Sequence, residues 1–519
     1  MFARALDIKR ALFIYLAQGA ERIDVMVTSL MVQGTMSGVG KSLLVTGLCR
    51  LFRRRGLRAA PFKSQNMALQ SFITDEGLEI GRAQAVQAEA CGIEPCAAMN
   101  PILLKPTGDR TSQVILNGEI YGNFSATEYY AIKGRLWPAV LAAYEKLAST
   151  YDIIVVEGAG SPAEINLKDD DFVNMGLARR LNLPVLLAGD IDRGGVFAQL
   201  AGTLLLLSPE ERDLVKALII NKFRGDPDIL RPGLTQLRSL TGKPVAGVVP
   251  FMDVDIDDED SLSGRFMSSR AGALIDVAVI RLPRISNFSD YTALSAAEGV
   301  GVRYVARTGD LGRPDLIVIP GTKNTIGDLK WMRSRGLEAA VKKASAAGTP
   351  VLGICGGYQI LGHVIIDEEG VEGGGTVPGM GLLPVTTRFH PEKRRTRTTA
   401  KVLDVRGLLA PLSGAELTGY EIHCGTTERD DGALPLIRLA DGSHDGCQRG
   451  DVYGCYLHGF FDTQFCREAV LGALAQKKGV VLDDRPFDWK AYKERQYDHL
   501  ADILESSLDG ALIDSIAGL

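Results

Sequence analysis

An apolar run that ends in Gly34-Thr35-Met36-Ser37-Gly38-Val39-Gly40-Lys41-Ser42 and then turns helical leaves a chain few choices of fold. Met26–Gln33 reads as a buried strand, the glycines as a tight turn and Leu43–Arg53 as a helix. In such a turn the backbone N–H groups face phosphate oxygens, and the start of the helix adds partial positive charge. Gly34, Thr35, Gly38 and Gly40 are therefore candidate ATP-binding positions. Lys41 would reach the β- and γ-phosphates, and the Ser42 hydroxyl is a candidate Mg²⁺ ligand.

Thr35 to Val39 lie between Gly34 and Gly40, one residue more than the ordinary P-loop pattern. The longer loop resembles that of dethiobiotin synthetase and its relatives. Partitioning-type ATPases also carry deviant glycine spacing. A second buried run, Tyr151–Val156, ends in Glu157-Gly158-Ala159-Gly160, which sets Glu157 like a metal-binding carboxylate beside the loop. Lys63, after the short run Arg58–Pro61, suits a phosphate or a substrate carboxylate, or a plain sheet edge. Asn221, closing the run Ala217–Ile220, falls where nucleoside contacts occur in P-loop folds. Asp190 to Gly195 follows the run Leu183–Ala188 and points to the same crevice. Lys105 and Arg110 lie in loop-like sequence and suit an anionic ligand. Asp169, Asp170 and Asp171 suit Mg²⁺ or a substrate group near the γ-phosphate, and Asp169 and Asp170 read equally as a solvated acidic turn.

Short apolar runs continue through Asp276–Ile280, Leu316–Ile319 and Pro350–Ile354, separated by helix-length segments. That pattern predicts an α/β chain with buried parallel strands. It breaks at Asp253–Arg270, an acidic then Ser/Gly/Arg-containing stretch that reads as a solvated linker rather than a metal site. The expected organisation is an extension over 1–25 with Met26 as the natural start, a P-loop synthetase domain over 26–252, a linker over 253–273 and a second domain over 274–519. The helical tail from Trp489 to Leu519 is expected to pack on the second domain. A net charge of −5 without a strongly basic region argues against a nucleic-acid partner. No apolar run reaches the roughly 18 residues that a membrane span needs.

The second domain carries its own chemistry. The run Pro350–Gly353 enters Ile354-Cys355-Gly356-Gly357, in which Gly353-x-Cys355-x-Gly357 is the cysteine form of a nucleophile elbow. A helix start behind the sulfur favours the thiolate. Of the six histidines, His458, at the end of a short run far downstream, is the candidate base. The N–H of Gly356, with one from the loop at Gly321, would form the oxyanion hole. This resembles a class I glutamine amidotransferase with one departure. Typical members have His-x-Glu, and here Phe460 stands two residues after His458. The expectation is a Cys355–His458 dyad, with Asp462 a speculative substitute for the carboxylate.

A dethiobiotin-type P-loop domain fused to such a glutaminase resembles the cobyric acid synthase and cobyrinic acid a,c-diamide synthase family. Pro61 to Ala68, Met99 to Pro106, Glu157 to Leu167, Asp190 to Phe197, Asn221 to Asp226 and Gly419 to His423 match the cobyric acid branch. The resemblance runs from Met26 to about Leu500. It implies a cytoplasmic enzyme that uses ATP, Mg²⁺ and glutamine to amidate a corrinoid, adenosylcobyrinic acid a,c-diamide, at its b, d, e and g carboxylates. It also implies Asp171 as a substrate-positioning residue, beside Lys63, whose place after a strand suits a substrate carboxylate. The oligomeric state stays open.

Overall fold

The computed structural model describes residues 28–108, 110–168, 171–256, 272–482 and 487–519. The expected extension over 1–25 lies outside them, as do Asp169 and Asp170 and most of the expected linker.

Both halves are α/β. The first is built on a six-stranded parallel sheet with the order Val245–Pro250, Val215–Phe223, Val185–Asp190, Thr28–Gly34, Ile153–Glu157, Ala59–Phe62. The central strands are apolar on both faces because helices cover both faces. Gly34, Glu157, Asp190 and Asn221 all sit at carboxyl ends of these strands, where open parallel sheets bind ligands. The second half has the sheet order Val300–Val305, Ile275–Ile280, Leu316–Ile319, Val351–Ile354, Val452–Cys455, Cys447–Arg449, parallel except for its last pair.

Two additions join the halves, a four-stranded sheet that is antiparallel except for its first pair and an antiparallel hairpin. A four-stranded sheet of Gln65–Met67, Ile102–Pro106, Thr111–Leu116 and Glu119–Ser125 grows out of the first half. A long hairpin of Val385–Val402 and Glu416–Arg429 reaches toward it from the second. Lys393 and Arg395 of the hairpin bind Glu79 and Glu119 of the first half, and Arg397 binds Asp75.

Two expectations need correction. The tail helix Trp489–Ser507 packs on the P-loop helix Lys41–Arg54 of the first half, not on the second domain. Its apolar stripe needs a partner, and Gly47 supplies a flat seat. A Cβ there would lie 2.4 Å from Leu504 Cδ1. Arg50 flanks the contact, 2.8 Å from both Glu494 and Asp498. Leu508 then bridges to Gly247, beside the edge of the first sheet. The chain thus crosses into the second half and returns. The second correction follows from the first. The described start of the expected linker is only partly solvated, since Asp253 is exposed but Ile256 is buried against Tyr497 and Leu500 of the tail.

Candidate active sites

At the first site the strand Thr28–Gly34 ends in the glycine turn and the helix begins at Lys41. Gly38 and Gly40 have φ of 73° and 97°, left-handed values that favour glycine. Gly40 has a second constraint, since a Cβ would meet Asn221 Nδ2 at 2.4 Å. That amide donates to the Val39 carbonyl at 2.8 Å, so Asn221 is placed beneath the loop and braces it. Thr35 N–H donates to Ala188, pinning the start of the turn to the neighbouring strand. Lys41 Nζ is 3.1 Å from the carbonyls of Met36 and Gly160, poised in the bowl of the loop.

Glu157 is buried at the heart of the site. Ser42 Oγ donates to its Oε1 at 2.9 Å, Lys63 Nζ lies 2.8 Å from the same oxygen, and Gln87 Nε2 donates to Oε2 at 2.6 Å. A carboxylate taken from water needs such partners. Ser42, Glu157 and Lys63 are therefore brought together, and Gln87 joins them from a helix that no motif marked. Asp171 is placed differently. Its carboxylate accepts from the backbone N–H groups of Val173, Asn174 and Gly176, which folds the turn into the helix Met175–Leu181. Asn174 in turn clamps Ala159, bonding both its N–H and its carbonyl. The acidic turn thus shapes the loop that follows Glu157.

At the second site Cys355 joins the strand Val351–Ile354 to the helix Gly356–Leu361. Its φ of 53° and ψ of −112° form a strained turn that presents the sulfur. Gly357 allows the turn to sit close, since a Cβ there would come within 1.9 Å of the Ile319 carbonyl oxygen. The neighbouring strand Val452–Cys455 is in register with the elbow strand, Ile354 opposite Cys455, and so brings His458 toward Cys355, whose Sγ donates to the Ile422 carbonyl at 3.5 Å. His458 is fully buried and stacks on Tyr420 with ring centroids 5.0 Å apart.

The carboxylate that the sequence lacked downstream of His458 comes from upstream. Asp290, in the short turn Phe288–Tyr291, has Oδ2 at 2.7 Å from His458 Nδ1, and its Oδ1 accepts from the Gly459 N–H. This corrects the expected dyad and the assignment to Asp462. Phe460 is core packing. Burial pushes His458 down, but the charge and hydrogen bond of Asp290 outweigh it and hold the imidazolium up to about 10.

The loop after Leu316–Ile319 also arrives here. Gly321 lies beside the imidazole, where a Cβ would be 3.1 Å from His458 Cε1, and its carbonyl accepts from Ser286 N–H. The adjacent Thr322 stands over Gly356, its N 3.0 Å from where a Gly356 Cβ would be. Thr322 and Cys355 share the wall of a cavity with residues of both halves, Lys105 from the first and Lys323, Glu372 and Lys393 from the second. The site can thus generate a thiolate, orient an imidazole and receive an oxyanion.

Comparison with known proteins agrees with a nucleotide-binding half followed by a glutamine amidotransferase half. Residues 30–261 match the family model described as CobQ/CobB/MinD/ParA nucleotide binding domain, and residues 276–465 match that of the CobB/CobQ-like glutamine amidotransferase domain. The chain is 56% identical over 492 residues to the cobyric acid synthase of Ruminiclostridium cellulolyticum, covering 93% of this chain and 96% of that one. It is 52% identical over 509 residues to that of Lachnoclostridium phytofermentans, with 93% and 98% covered. It is 50% identical over 493 residues to that of Klebsiella pneumoniae, with 93% and 97% covered.

Proposed function

The chain belongs to the cobyric acid synthase family, as a glutamine-dependent amide synthase of cobalamin biosynthesis, and we propose that it amidates the b, d, e and g carboxylates of adenosylcobyrinic acid a,c-diamide. The observation that carries this reading is the shared cavity. The thiol that would release ammonia opens onto a wall that includes Lys105 of the ATP half.

In the glutaminase half the Cys355 thiolate attacks the side-chain amide of glutamine. The amides of Gly356 and of the Gly321–Thr322 loop receive the oxyanion. His458, oriented by Asp290, gives its proton to the departing ammonia and then activates the water that releases glutamate. In the ATP half the loop from Gly34 to Ser42 cradles the phosphates, and Lys41 moves from the backbone carbonyls to phosphate oxygens. Ser42 and Glu157, side by side, fit Mg²⁺, which takes few protein ligands and keeps water and phosphate oxygens. When bound, the ion neutralises charge on the phosphates. Lys63 orients the substrate carboxylate, and Asp171 serves through the loop that it folds. The carboxylate attacks the γ-phosphate to give an acyl phosphate and ADP. Ammonia arriving from the other half displaces phosphate and leaves the amide. Ammonia released to water would be protonated, so a shielded passage between the halves follows from the chemistry.

A cytoplasmic setting agrees with the eight cysteines, all free. Among the described residues no helix is long and apolar enough to cross a membrane.

The test is mass spectrometry of adenosylcobyrinic acid a,c-diamide incubated with the protein, ATP, Mg²⁺ and glutamine. Stepwise acid-to-amide mass changes are expected. Consumption of ATP and glutamine without a mass change would move the reaction to another carboxylate.

A further inference from the structure

The cavity at Cys355 carries more charge than ammonia release requires. Glu79 of the first half is completely buried between two ammonium groups, Lys105 at 2.7 Å and Lys393 at 2.6 Å, one from each half. Both of its oxygens are occupied by that pair. Lys323, in the loop before the helix Thr325–Ser334, and Glu372, in the turn after the strand Val364–Asp367, remain on the same wall. Lys323 Nζ is steadied from across the interface by Gln113 Oε1 at 3.1 Å. Glu372 accepts from the Ile326 N–H at 3.2 Å and faces Thr325 Oγ1, which itself bonds Gln359 at 3.0 Å. The cavity thus presents a cationic side, formed by Lys323 and Lys393, and an anionic point at Glu372.

Glutamine is a zwitterion whose two charges are carried on one carbon, two methylenes from the amide. A site that reads both charges needs one cationic and one anionic contact, close together and close to the nucleophile. Resting on the reading of Cys355, His458 and Asp290 as a glutaminase, we propose that Lys323 and Lys393 bind the α-carboxylate of glutamine and that Glu372 binds its α-ammonium. The Glu79–Lys105 pair positions Lys393 from the ATP half, so the glutamine pocket is complete only with the two halves docked.

The electrostatics agree with the geometry. Burial and the adjacent Lys393 both push Lys323 below the ordinary lysine range, a repulsion that a carboxylate between them relieves. Burial raises Glu372 to about 7, and an arriving ammonium favours its ionised form.

The experiment measures ammonia release by wild type, Lys323→Met and Glu372→Gln from three substrates. These are glutamine, glutaminamide, which lacks the α-carboxylate charge, and N-acetylglutamine, which lacks the α-ammonium. Loss of a charge-assisted contact is expected to raise KM for glutamine by about 10- to 100-fold in each variant. Lys323→Met is expected to erase the preference for glutamine over glutaminamide. Glu372→Gln, which keeps the oxygen facing Ile326, is expected to erase the preference over N-acetylglutamine. Amidation driven by ammonium reports that each variant is folded. Variants that keep the wild-type preferences overturn the subsite while leaving the glutaminase standing. A wild type that releases no ammonia from glutamine overturns both.

Discussion

Asp290 and His458 lie 168 residues apart in the chain and 2.7 Å apart in the structure, carboxylate to Nδ1. The contact fixes which imidazole nitrogen faces Cys355. A carboxylate in this position orients the base and stabilises the imidazolium. Asp290→Ala is expected to lower kcat/KM for glutamine hydrolysis by about 10²- to 10⁴-fold. Amidation driven by ammonium should be retained. Asp462→Ala is the comparison, and if it costs as much as Asp290→Ala then the triad is misassigned.

The same contact sets a pH dependence. In the wild type the Asp290 charge holds the His458 imidazolium up to about 10 against burial, which pushes the other way. Asp290→Asn removes the charge, so burial prevails and the imidazolium loses its proton at lower pH. The alkaline limb of the Cys355 alkylation rate is expected to move down the pH scale in Asp290→Asn. A limb that stays in place would mean that the aspartate does not set the titration of the base.

Some of this was legible in the sequence because it is local. The apolar runs around Val155, Ile219 and Ile317 mark buried parallel strands, since such strands are covered on both faces. The glycine spacing at Gly34–Ser42 and around Cys355 announces two turns whose backbone geometry demands small residues. Asp290 carries no such mark. It lies in a four-residue turn, and what makes it important is a neighbour that the fold supplies. The tail shows the same limit, because a helical stripe states that one face must be buried but not against what. The family resemblance points Asp171 toward substrate, yet three backbone N–H groups consume its carboxylate.

The two chemistries should separate by mutation. Cys355→Ala is expected to abolish glutamine-driven amidation and to leave amidation with high external ammonium. Glu157→Gln is expected to stop amidation from either nitrogen source and to spare the glutaminase. Its carboxylate holds Ser42 and Lys63 together at the ATP site, so both glutamine- and ammonium-driven amidation should fall while glutamate release persists. Rates of glutamate, ADP and amide formation, measured side by side, distinguish these outcomes. Loss of all three products in a folded Cys355→Ala protein would sink the two-site model.

The returning tail makes a prediction about stability. Leu500 and Leu504 are fully buried on the P-loop helix, with Gly47 beneath them. Truncating a buried leucine costs its transfer free energy and leaves a cavity, about 2–5 kcal/mol together. Leu504→Ala is therefore expected to lower the unfolding transition of the ATP half. ATP, which binds the folded form of that half, should raise the same transition by mass action. The thermal scan that checks this follows wild type and Leu504→Ala with and without nucleotide. If the transition lowered by the substitution is one that nucleotide does not move, the tail stabilises the glutaminase half instead, and its assignment to the first half is wrong.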